Sequence, residues 1–503
     1  MANPSLQIGN SNWAIKEDNL LGYSTAGTRF VPQPITMTRA SAGTRVNSSG
    51  LVETVELLGS EEVTDGNFPT PNTEWSSFGL ATINENIVNF VDAGSNTYSG
   101  ITQDINSFSA KQYKVEITVT NWISGDILAT FSSNNASFNI TGNGTYSVYL
   151  TPVSNGDDIG LVRDYSSGAD FSYSITNVSV KESTKNNLAR VDYDGTASSL
   201  LVEPQSTNVI EYSEDFSNSY WAKTNTDVIS NAAVSPDGTQ NADKLNFTTS
   251  SGEIVKGMAF VSGQTYTMSF YAKTESGTLD FNYGNMDYYV ISGTATDEWQ
   301  RFEIIQTLPT TTRFPKINTT EIGSLLLWGF QIEQQSYATS YIPTDGGTVT
   351  RVQDQYSKTG ISNLINSEEG VLFVEMAAFV KINPSGNITL TDGSGDNRIY
   401  IYYLVDNSIS VIYNINSTGA AIHNFALADI TQQTKIAVKW GDSNVSVWIN
   451  GNSVLSTATS NFLPNTLNQL DFSKPSGGVP FEGKVKQLQI YKTTDIDLAA
   501  LTS

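Results

Sequence analysis

The 503-residue chain contains no cysteine and a single histidine, His423. The absence of cysteine excludes disulfides, thiolate catalysis and thiolate metal sites, and zinc sites built from several His or Cys ligands are excluded with them. Catalysis by a Ser-His-Asp arrangement would depend on His423 alone, which stands in a turn-like stretch beside Phe425. We interpret His423 as a half-buried surface residue.

Positive charge is also scarce. Lys and Arg total 27 against 50 Asp and Glu, which gives a formal net charge of −23, and no basic cluster occurs in the chain. Such a surface repels phosphate backbones and anionic lipids, so we expect no nucleic-acid partner and no membrane insertion. Glycine patterns typical of nucleotide binding are absent as well.

Long apolar runs are missing too. The chain has no stretch of about 18 apolar residues, and its N-terminal sequence lacks the charged and apolar regions of a secretion signal. We therefore expect neither export by a signal peptide nor a membrane-spanning segment.

The abundant residues indicate β structure. The chain has 23 Tyr, 22 Phe and 39 Gly, while only 15% of its residues are charged. Aromatic residues favour strands and glycine favours tight turns. Because a chain of this length exceeds what one core of ordinary size accommodates, we expect an all-β protein of several domains.

Residues 60–185 show the alternation that is typical of half-buried strands. The runs KQYKVEITVTNW and GTYSVYLTP each place apolar side chains at every second position. The region opens with Phe68 and Trp75 and closes with the alternating run FSYSITNVSVKES. Short strands at this spacing favour a β-sandwich.

Residues 206–345 repeat this scheme. Phe216 and Trp221 take the places of Phe68 and Trp75, and the run QTYTMSFYAKT parallels KQYKVEITVTN. The shared landmarks and spacing predict two copies of one jelly-roll-like sandwich.

The two ends of the chain give different signals. Residues 346–503 contain many short strand patterns and hairpin signals such as Asn450-Gly451. The last segment, TDIDLAALTS, is similar to the short helix that often ends concanavalin-like sandwiches. In residues 1–59 the stretch Ile15–Leu21 favours one or two helical turns, and two prolines then enforce extended chain. We expect four tryptophans to be core anchors: Trp75, Trp221, Trp328 and Trp448.

Several motifs resemble those of tailed-bacteriophage virion proteins of the fibre or receptor-binding type. The run SLLVEPQSTNVIEYSEDFSNSYW is similar to a segment that precedes a jelly-roll domain in those proteins, and YATSYIPTDGGTVTR is similar to the exit from that domain. RASAGTRVNSSGLVETV and ARVDY match two parts of a connector that is usually short in the family. We infer that a domain is inserted into the connector, so that Arg39–Val55 and Leu188–Glu203 should lie together.

The sandwiches carry resemblances of their own. The regions 60–185 and 206–345 resemble carbohydrate-binding-module jelly rolls, and the C-terminal region resembles concanavalin-like sandwiches of the laminin-G type. The predicted fold is therefore all-β, with tandem jelly-roll β-sandwiches, a concanavalin-like β-sandwich and a mostly extended N-terminal segment. The predicted domains are 1–59 (virion-attachment and connector segment), 60–185 (inserted jelly roll), 186–205 (connector), 206–345 (second jelly roll) and 346–503 (concanavalin-like sandwich).

The resemblance implies a non-enzymatic virion structural protein of the head- or tail-fibre type. It implies attachment to the particle by the N-terminal region, adhesion of the sandwiches to host-surface polysaccharide, contacts with other virion proteins and assembly as a homotrimer. Such a protein is made in the host cytoplasm and released within virions by lysis. Two alternatives stay open: a polysaccharide depolymerase that uses paired carboxylates, and a bacterial glycan-binding adhesin. The candidate carboxylates are Glu61-Glu62, Asp157-Asp158, Glu368-Glu369 and the loop Asp392–Asp396, of which the first three are interpreted as solvated turns or linkers.

No cofactor is expected, and structural calcium is left open. The related modules often hold calcium through an opening glutamate and an aspartate of the last strand, but Pro69 and Thr176-Asn177 stand at these places in the first copy. The loop Asp392–Asp396 offers clustered oxygen atoms of the kind that calcium prefers, although a polar hairpin explains it without an ion.

Aromatic side chains are the candidate sugar-binding residues, because flat rings stack on the apolar faces of sugars. Tyr413 competes for this role with Tyr400, Tyr402 and Tyr403 in the third sandwich. For each candidate, a place in the core or in a subunit contact is the simpler interpretation. The candidates are Tyr98 and Trp122 in the first copy, Tyr283, Tyr288 and Tyr289 in the second, and Tyr413 in the C-terminal region.

Overall fold

A computed structural model describes most of the chain: residues 2–10, 13–16, 19–26, 29–92, 97–138, 140, 142–163, 170–284, 289–308, 312–380, 386–404, 406–474 and 479–503. The described residues form 44 strands and one short α-helix. The predicted all-β fold class is thus confirmed. Within these ranges no helix is both long enough and apolar enough to cross a membrane.

Two compact units make up the chain, one of residues 1–55 and 186–503 and the other of residues 56–185. The strands of residues 1–55 are β1 (Leu6–Gly9), β2 (Ala14–Lys16), β3 (Asn19–Ala26), β4 (Arg29–Thr38), β5 (Thr44–Val46) and β6 (Val52–Thr54). The strands of residues 56–185 are β7 (Leu57–Glu61), β8 (Ser76–Phe78), β9 (Ala81–Asn84), β10 (Ile87–Asp92), β11 (Gly100–Gln103), β12 (Gln112–Ser124), β13 (Ile127–Phe131), β14 (Asn134–Ser137), β15 (Gly144–Leu150), β16 (Ile159–Arg163) and β17 (Phe171–Thr184).

The rest of the larger unit begins with β18 (Arg190–Asp194), β19 (Ala197–Val202) and β20 (Ser206–Asn208). Next come β21 (Ala222–Thr224), β22 (Thr226–Ala233), β23 (Ala242–Phe247), β24 (Glu253–Val255), β25 (Met258–Ala259), β26 (Thr265–Lys273), β27 (Leu279–Gly284), β28 (Val290–Ala295), β29 (Gln300–Thr307), β30 (Thr312–Arg313), β31 (Lys316–Thr319) and β32 (Gly323–Glu333). The chain ends with β33 (Val349–Arg351), β34 (Gln355–Lys358), β35 (Gly370–Ala377), β36 (Asn387–Thr391), β37 (Arg398–Leu404), β38 (Ser408–Ile415), β39 (Thr418–Ala426), β40 (Thr434–Gly441), β41 (Asn444–Ile449), β42 (Asn452–Ala458), β43 (Gln469–Asp471), β44 (Gly483–Tyr491) and α1 (Leu498–Thr502).

Residues 56–185 and 206–345 each form a sandwich of two five-stranded antiparallel sheets with the same strand order. In the first, the sheets run β8-β11-β16-β13-β14 and β9-β10-β17-β12-β15, with β7 added beside β17. In the second, they run β21-β24-β31-β27-β28 and β22-β23-β32-β26-β29. When only the ten strands of the two five-stranded sheets are numbered in chain order, leaving out β7, β25 and β30, both sandwiches read 1-4-9-6-7 and 2-3-10-5-8. The predicted repeat is therefore visible in the strand connections themselves.

Each sandwich has its own hydrophobic core, to which its opening aromatic pair belongs. Phe68 and Trp75 are buried between the sheets of the first, and Phe216 and Trp221 between those of the second. Trp328 is buried as predicted. The fourth predicted anchor, Trp448, is only half-buried and packs against the cluster beneath α1.

The N-terminal strands belong to the same core as the C-terminal strands. β1 pairs with β44, and β4 pairs with β34. Leu6, Ile8 and Met37 are buried among side chains of residues 356–490. The N-terminal segment is extended, as the sequence predicts. The predicted domain boundaries, however, separate residues 1–59 from residues 346–503, with which these strands pair.

The expected helical turns at Ile15–Leu21 are wrong. In the described part of this stretch β2 ends at Lys16 and β3 begins at Asn19, and β3 pairs with β4 so that Leu20 lies opposite Ile35. Both of these side chains are buried in the core, and burial against a partner strand outweighs a weak local preference for helix. The predicted C-terminal helix is confirmed as α1, where Asp497 caps the backbone N–H of Ala500.

The two parts of the interrupted connector are in contact, as the insertion hypothesis requires. The side chain of Asp192 accepts a hydrogen bond from the backbone N–H of Val46 at 2.8 Å, and Arg45 donates to the Val191 carbonyl at 3.2 Å. Arg190 donates to the carbonyl of Thr44 at 3.1 Å.

A buried ion cluster lies at this junction. Arg39 donates to Asp354 at 2.7 Å, and Arg190 contacts both Asp354 and Glu203, the latter at 2.6 Å. Arg351 reaches Glu203 at 2.9 Å, and the five side chains are at most 3% exposed. Burial alone would raise the pKa of Glu203, but Arg351 and Arg190 lower it to about 2. The motif residues therefore meet in one charged, solvent-excluded cluster.

Candidate functional site

A groove lies on the outer face of sheet β8-β11-β16-β13-β14 in the unit of residues 56–185. Side chains alternate between the two faces of a strand, and in β16 Ile159 and Leu161 enter the core while Gly160 and Val162 line the groove. The groove has a volume of about 400 Å³. Its lining residues are Tyr98, Thr102, Thr130, Ser132, Gly156, Asp157, Asp158, Gly160 and Val162.

The floor of the groove is formed by small side chains. Gly160 lies between Thr102 of β11 and Thr130 of β13 in register. A Cβ atom at Gly160 would approach the Thr130 methyl group to 2.7 Å and the Thr102 methyl group to 3.6 Å. The missing side chain at Gly160 therefore leaves room that any other residue would fill.

Tyr98 forms an aromatic wall of the groove. Its side chain is 55% exposed, and its ring packs against Phe78 with 5.0 Å between centroids and 36° between planes. Phe78 is placed by Gly100, since a Cβ atom there would lie 2.6 Å from the Phe78 ring. The Tyr98 ring is thus held by a neighbouring ring while much of its surface stays open to solvent.

Two adjacent carboxylates, Asp157 and Asp158, supply the acidic part of the groove. Asp157 accepts hydrogen bonds from the backbone N–H of Ser154 and the hydroxyl of Ser132, each at 2.8 Å. These two donors, the Ser154 N–H above all, lower the pKa of Asp157, so Asp157 is ionised and held in place at neutral pH. Asp158 is exposed beside it.

Tyr98 and Trp122, the two sugar-binding candidates of the first copy, do not line the same groove. Trp122 lies near the end of β12 in the opposite sheet, packs against the core, and donates its indole N–H to the Gly125 carbonyl at 3.0 Å. It is not among the described residues that line the groove.

Tyr283 and Tyr413 are core residues, so neither offers an open ring face. Tyr283 is 5% exposed, packs edge-on against Phe270, and donates its hydroxyl to the Glu303 carbonyl at 3.2 Å. Tyr413 is fully buried against Phe462 and donates its hydroxyl to a backbone carbonyl. Both rings occupy the inward positions of their strands, where burial of a large aromatic surface stabilises the sandwich.

The remaining tyrosine candidates differ from one another in their exposure. Tyr289 is 61% exposed at the edge of the second sandwich, and its backbone carbonyl accepts a hydrogen bond from Gln306 at 2.9 Å. Tyr288 lies outside the described residues. Tyr400 is buried and stacks with Tyr402 at 4.7 Å.

The predicted half-buried environment of the single histidine is confirmed. His423 is half-buried, and its ring stacks on Phe425 with 6.4 Å between centroids.

The acidic loop Asp392–Asp396 is internally hydrogen-bonded. Asp392 accepts from the backbone N–H and hydroxyl of Ser394 at 2.8 and 2.7 Å, and from the Asn397 amide at 2.9 Å. Across the described ranges, no group of three or more His, Cys, Asp or Glu is arranged to hold a metal ion.

Sequence reasoning missed most of the groove. It identified Tyr98 and treated Asp157 and Asp158 as a solvated turn. Thr102, Thr130 and Gly160 carry no motif, and their proximity arises only when β11, β16 and β13 pair. The one signal available was the small residue Gly160 inside a strand pattern, which marks close approach of another group.

No protein-family model matches the chain, and no curated protein sequence matches it. Among solved structures, the CBM40 module of the Ruminococcus gnavus IT-sialidase bound to α2,3-sialyllactose is similar over 27% of this chain and 83% of that one, with 16% identity and a TM-score of 0.24.

Two further structures are similar over longer stretches. The tandem CBM22 domains of Paenibacillus barcinonensis Xyn10C match 55% of this chain and 98% of theirs, with 11% identity and a TM-score of 0.20. A Trypanosoma rangeli sialidase matches 96% of this chain and 88% of its own, with 8% identity and a TM-score of 0.25. Similarities this low do not identify a function.

Proposed function

We propose that the protein is a non-enzymatic glycan-binding protein and that the groove beside Tyr98 is its binding surface. The observation that carries the proposal is the combination in one groove of an exposed aromatic ring, a floor of small residues and two adjacent carboxylates. Sugar sites combine a stacking surface with a few well-placed polar groups.

Each part of the groove has a chemical role in this proposal. The Tyr98 ring stacks against the apolar face of one sugar residue. The ionised Asp157, fixed by Ser132 and Ser154, and the neighbouring Asp158 accept hydrogen bonds from sugar hydroxyls. Gly160 leaves room for the sugar to reach the sheet. A volume of about 400 Å³ lies within the range of ligand pockets.

The absence of catalysis belongs to the proposal as well. Glycoside hydrolysis needs a general acid, a carboxyl group whose pKa is raised so that it keeps its proton near neutral pH. In this groove the pKa of Asp157 is instead lowered by its hydrogen-bond donors. A depolymerase would release reducing ends from a bound polysaccharide, and we expect no such release from any glycan that binds.

The virion setting rests on the sequence motifs. We propose that the chain is a bacteriophage head- or tail-fibre protein that adheres to a host-surface polysaccharide, as the resemblance around Glu203-Pro204 implies. Homotrimer formation and attachment through the N-terminal region belong to this proposal. Mass spectrometry and labelled electron microscopy of purified particles test it, and absence of the protein from the particles would exclude it in favour of a bacterial adhesin.

Glycan-array binding of the full chain tests the groove. We expect Tyr98→Ala to weaken binding of the best glycan at least tenfold, because the stacking surface is removed. Tyr289→Ala is the matched control, since Tyr289 has a similar exposure of 61% in the other unit. Unchanged binding by Tyr98→Ala together with loss by Tyr289→Ala would assign the function to the second sandwich instead.

A further inference from the structure

A second groove, of about 340 Å³, lies in the larger unit where three segments far apart in the sequence form adjacent strands. β4 of the N-terminal region and β43 of the C-terminal region both pair with β34. The groove therefore exists only because the N-terminal strands join the C-terminal sandwich.

Strand register explains why the groove is polar. Ser357 of β34 lies opposite Thr36 on one side and opposite Asp471 on the other, and all three side chains line the groove. The neighbouring positions Met37 and Leu470 are buried in the core on the opposite face. One face of these strands thus contributes to the core, while the other forms an array of hydroxyl, amide and carboxylate groups.

Asp471 is the distinctive group of this groove. Its side chain is 5% exposed, and the one hydrogen bond described for its carboxylate comes from the Gln469 amide at 2.6 Å. Within the described part of the chain Asp471 forms no salt bridge. Burial raises the pKa of Asp471, which is the expected response of a carboxylate that has lost water without gaining a cation.

A buried carboxylate without a cation is costly unless hydrogen-bond donors surround it. The other buried acids of this unit satisfy that requirement internally, as Glu203 does through Arg190 and Arg351. Asp471 instead faces a groove, where an arriving molecule can supply the donors.

We propose that this groove binds a neutral oligosaccharide, whose hydroxyl groups donate to the Asp471 carboxylate and exchange hydrogen bonds with Gln355, Gln469 and Thr38. The ring-bearing residues of the groove, Tyr356 and Phe472, are 3% and 2% exposed. The sugar is therefore held by its hydroxyl edges and not by stacking. Acidic sugars are disfavoured because their carboxylates meet Asp471, and the exposed Lys474 is too solvated to offset this repulsion.

This site goes beyond the proposed function and shares with it only the glycan class of ligand. The two grooves lie in different units and contain different residues, so either can fail without the other.

Isothermal titration calorimetry of the full chain carrying Tyr98→Ala isolates the second groove. The probes are cellohexaose, maltohexaose and chitohexaose as neutral chains and hexagalacturonate as an acidic one. We expect at least one neutral hexaose to bind the Tyr98→Ala chain, and hexagalacturonate not to bind it.

Two additional changes in that background test the assignment. Asp471→Asn should weaken binding at least tenfold, since the strong acceptor is lost. Thr38→Trp should do the same by filling the groove from an exposed rim position, and it guards against misfolding caused by a change at a buried site. The control is Asp495→Asn, a change of an exposed carboxylate outside the groove, which should leave affinity unchanged.

The outcomes are distinct. Binding of no neutral hexaose, binding of hexagalacturonate alone, or unchanged affinity in both Asp471→Asn and Thr38→Trp would overturn the proposal. Retained binding by Tyr98→Ala on every glycan, with loss in the Asp471→Asn chain, would refute the Tyr98 groove and leave this second site standing.

Discussion

The two jelly-roll sandwiches share one strand order but differ on the face that corresponds to the groove. In the first, the central row across β11, β16 and β13 is Thr102, Gly160 and Thr130. In the second, an outward-facing row across the corresponding strands β24, β31 and β27 is Glu253, Asn318 and Asn282.

The longer side chains of the second row contact neighbouring groups. Glu253 pairs with Lys316 at 3.0 Å, and Asn282 accepts a hydrogen bond from Ser292 at 2.9 Å. The same sheet thus presents an open groove in one copy and a filled polar surface in the other. Fold similarity alone therefore does not locate a binding site, and in these two copies the openness of the outer face depends on side-chain size at a single row.

The two copies also differ in whether their unit contains the buried ion cluster. Residues 56–185 form a unit with its own core, whereas the second sandwich shares its unit with the buried ion cluster of Arg190, Glu203 and Asp354. The comparison therefore predicts that the two copies respond differently to changes in that cluster.

The largest expected effect is that of Asp354→Ala. This change leaves Arg39 and Arg190 buried without their shared carboxylate, and breaking a buried ion pair costs about 3–5 kcal/mol. Differential scanning calorimetry should show a lower unfolding temperature for the larger unit and an unchanged transition for residues 56–185. Lys244→Ala, which breaks the partly exposed pair with Glu275, is the control and should cost less than about 1 kcal/mol. Equal losses of stability in both variants would contradict the stabilising role assigned to the buried ion cluster.

Lowering the pH should also destabilise the larger unit more than residues 56–185. The pKa of Glu203 is lowered from 4.5 to about 2 and that of Asp354 is also lowered, so their contribution to stability is complete above the unfolded value. It is lost as pH falls from about 4.5 toward 2, because the unfolded chain takes up the protons first. The free energy of unfolding, measured with urea between pH 7 and pH 3, should fall more steeply for the larger unit than for residues 56–185. A common pH profile for both would contradict this.

Filling the groove beside Tyr98 should weaken glycan binding at least tenfold, which corresponds to about 1.4 kcal/mol of binding free energy. The double change Gly160→Asn with Thr130→Ser gives the first sandwich the central residue of the second and removes the methyl group that lies 2.7 Å from the new Cβ. Thr130→Ser alone is the control, since a serine keeps the hydroxyl bond to the Ser132 carbonyl. Titration with the array-selected glycan checks the loss, and undiminished affinity would place the ligand elsewhere.

The smallest effect is expected for Asn318→Ala. Shortening this side chain opens the filled row of the second sandwich, but Tyr283, one of the three rings predicted for that copy, is 5% exposed and offers no ring face to a sugar. Glycan affinity should therefore stay within twofold of the original value in the same titration. A clear gain of binding would mean that an open floor suffices without an aromatic wall.

Much of the fold could be predicted from the sequence, because alternation and turn signals are local. The repeat of Phe68 and Trp75 by Phe216 and Trp221 predicted two sandwiches, and the split connector predicted the contact between residues 39–55 and 188–203. Pairing of β1 with β44 could not be predicted, since nothing in residues 6–9 specifies a partner strand more than 470 positions away.

The candidate sites were harder to predict for a related reason. Alternation shows that half of a strand's residues share a face, but it does not show which face becomes the core. Tyr283 and Tyr413 therefore looked equivalent to Tyr98 until packing separated buried rings from the exposed one. Asp471 carried no signal, because its exclusion from water depends on strands from both ends of the chain.

Hydrogen–deuterium exchange of the full chain with and without the array-selected glycan tests the central claim most directly. Binding in the Tyr98 groove should slow exchange in β11, in β13 and in the segment from Gly156 to Val162, and these changes should disappear in Tyr98→Ala. Slower exchange confined to the second sandwich or to the C-terminal strands, with residues 98–162 unaffected, would contradict the claim.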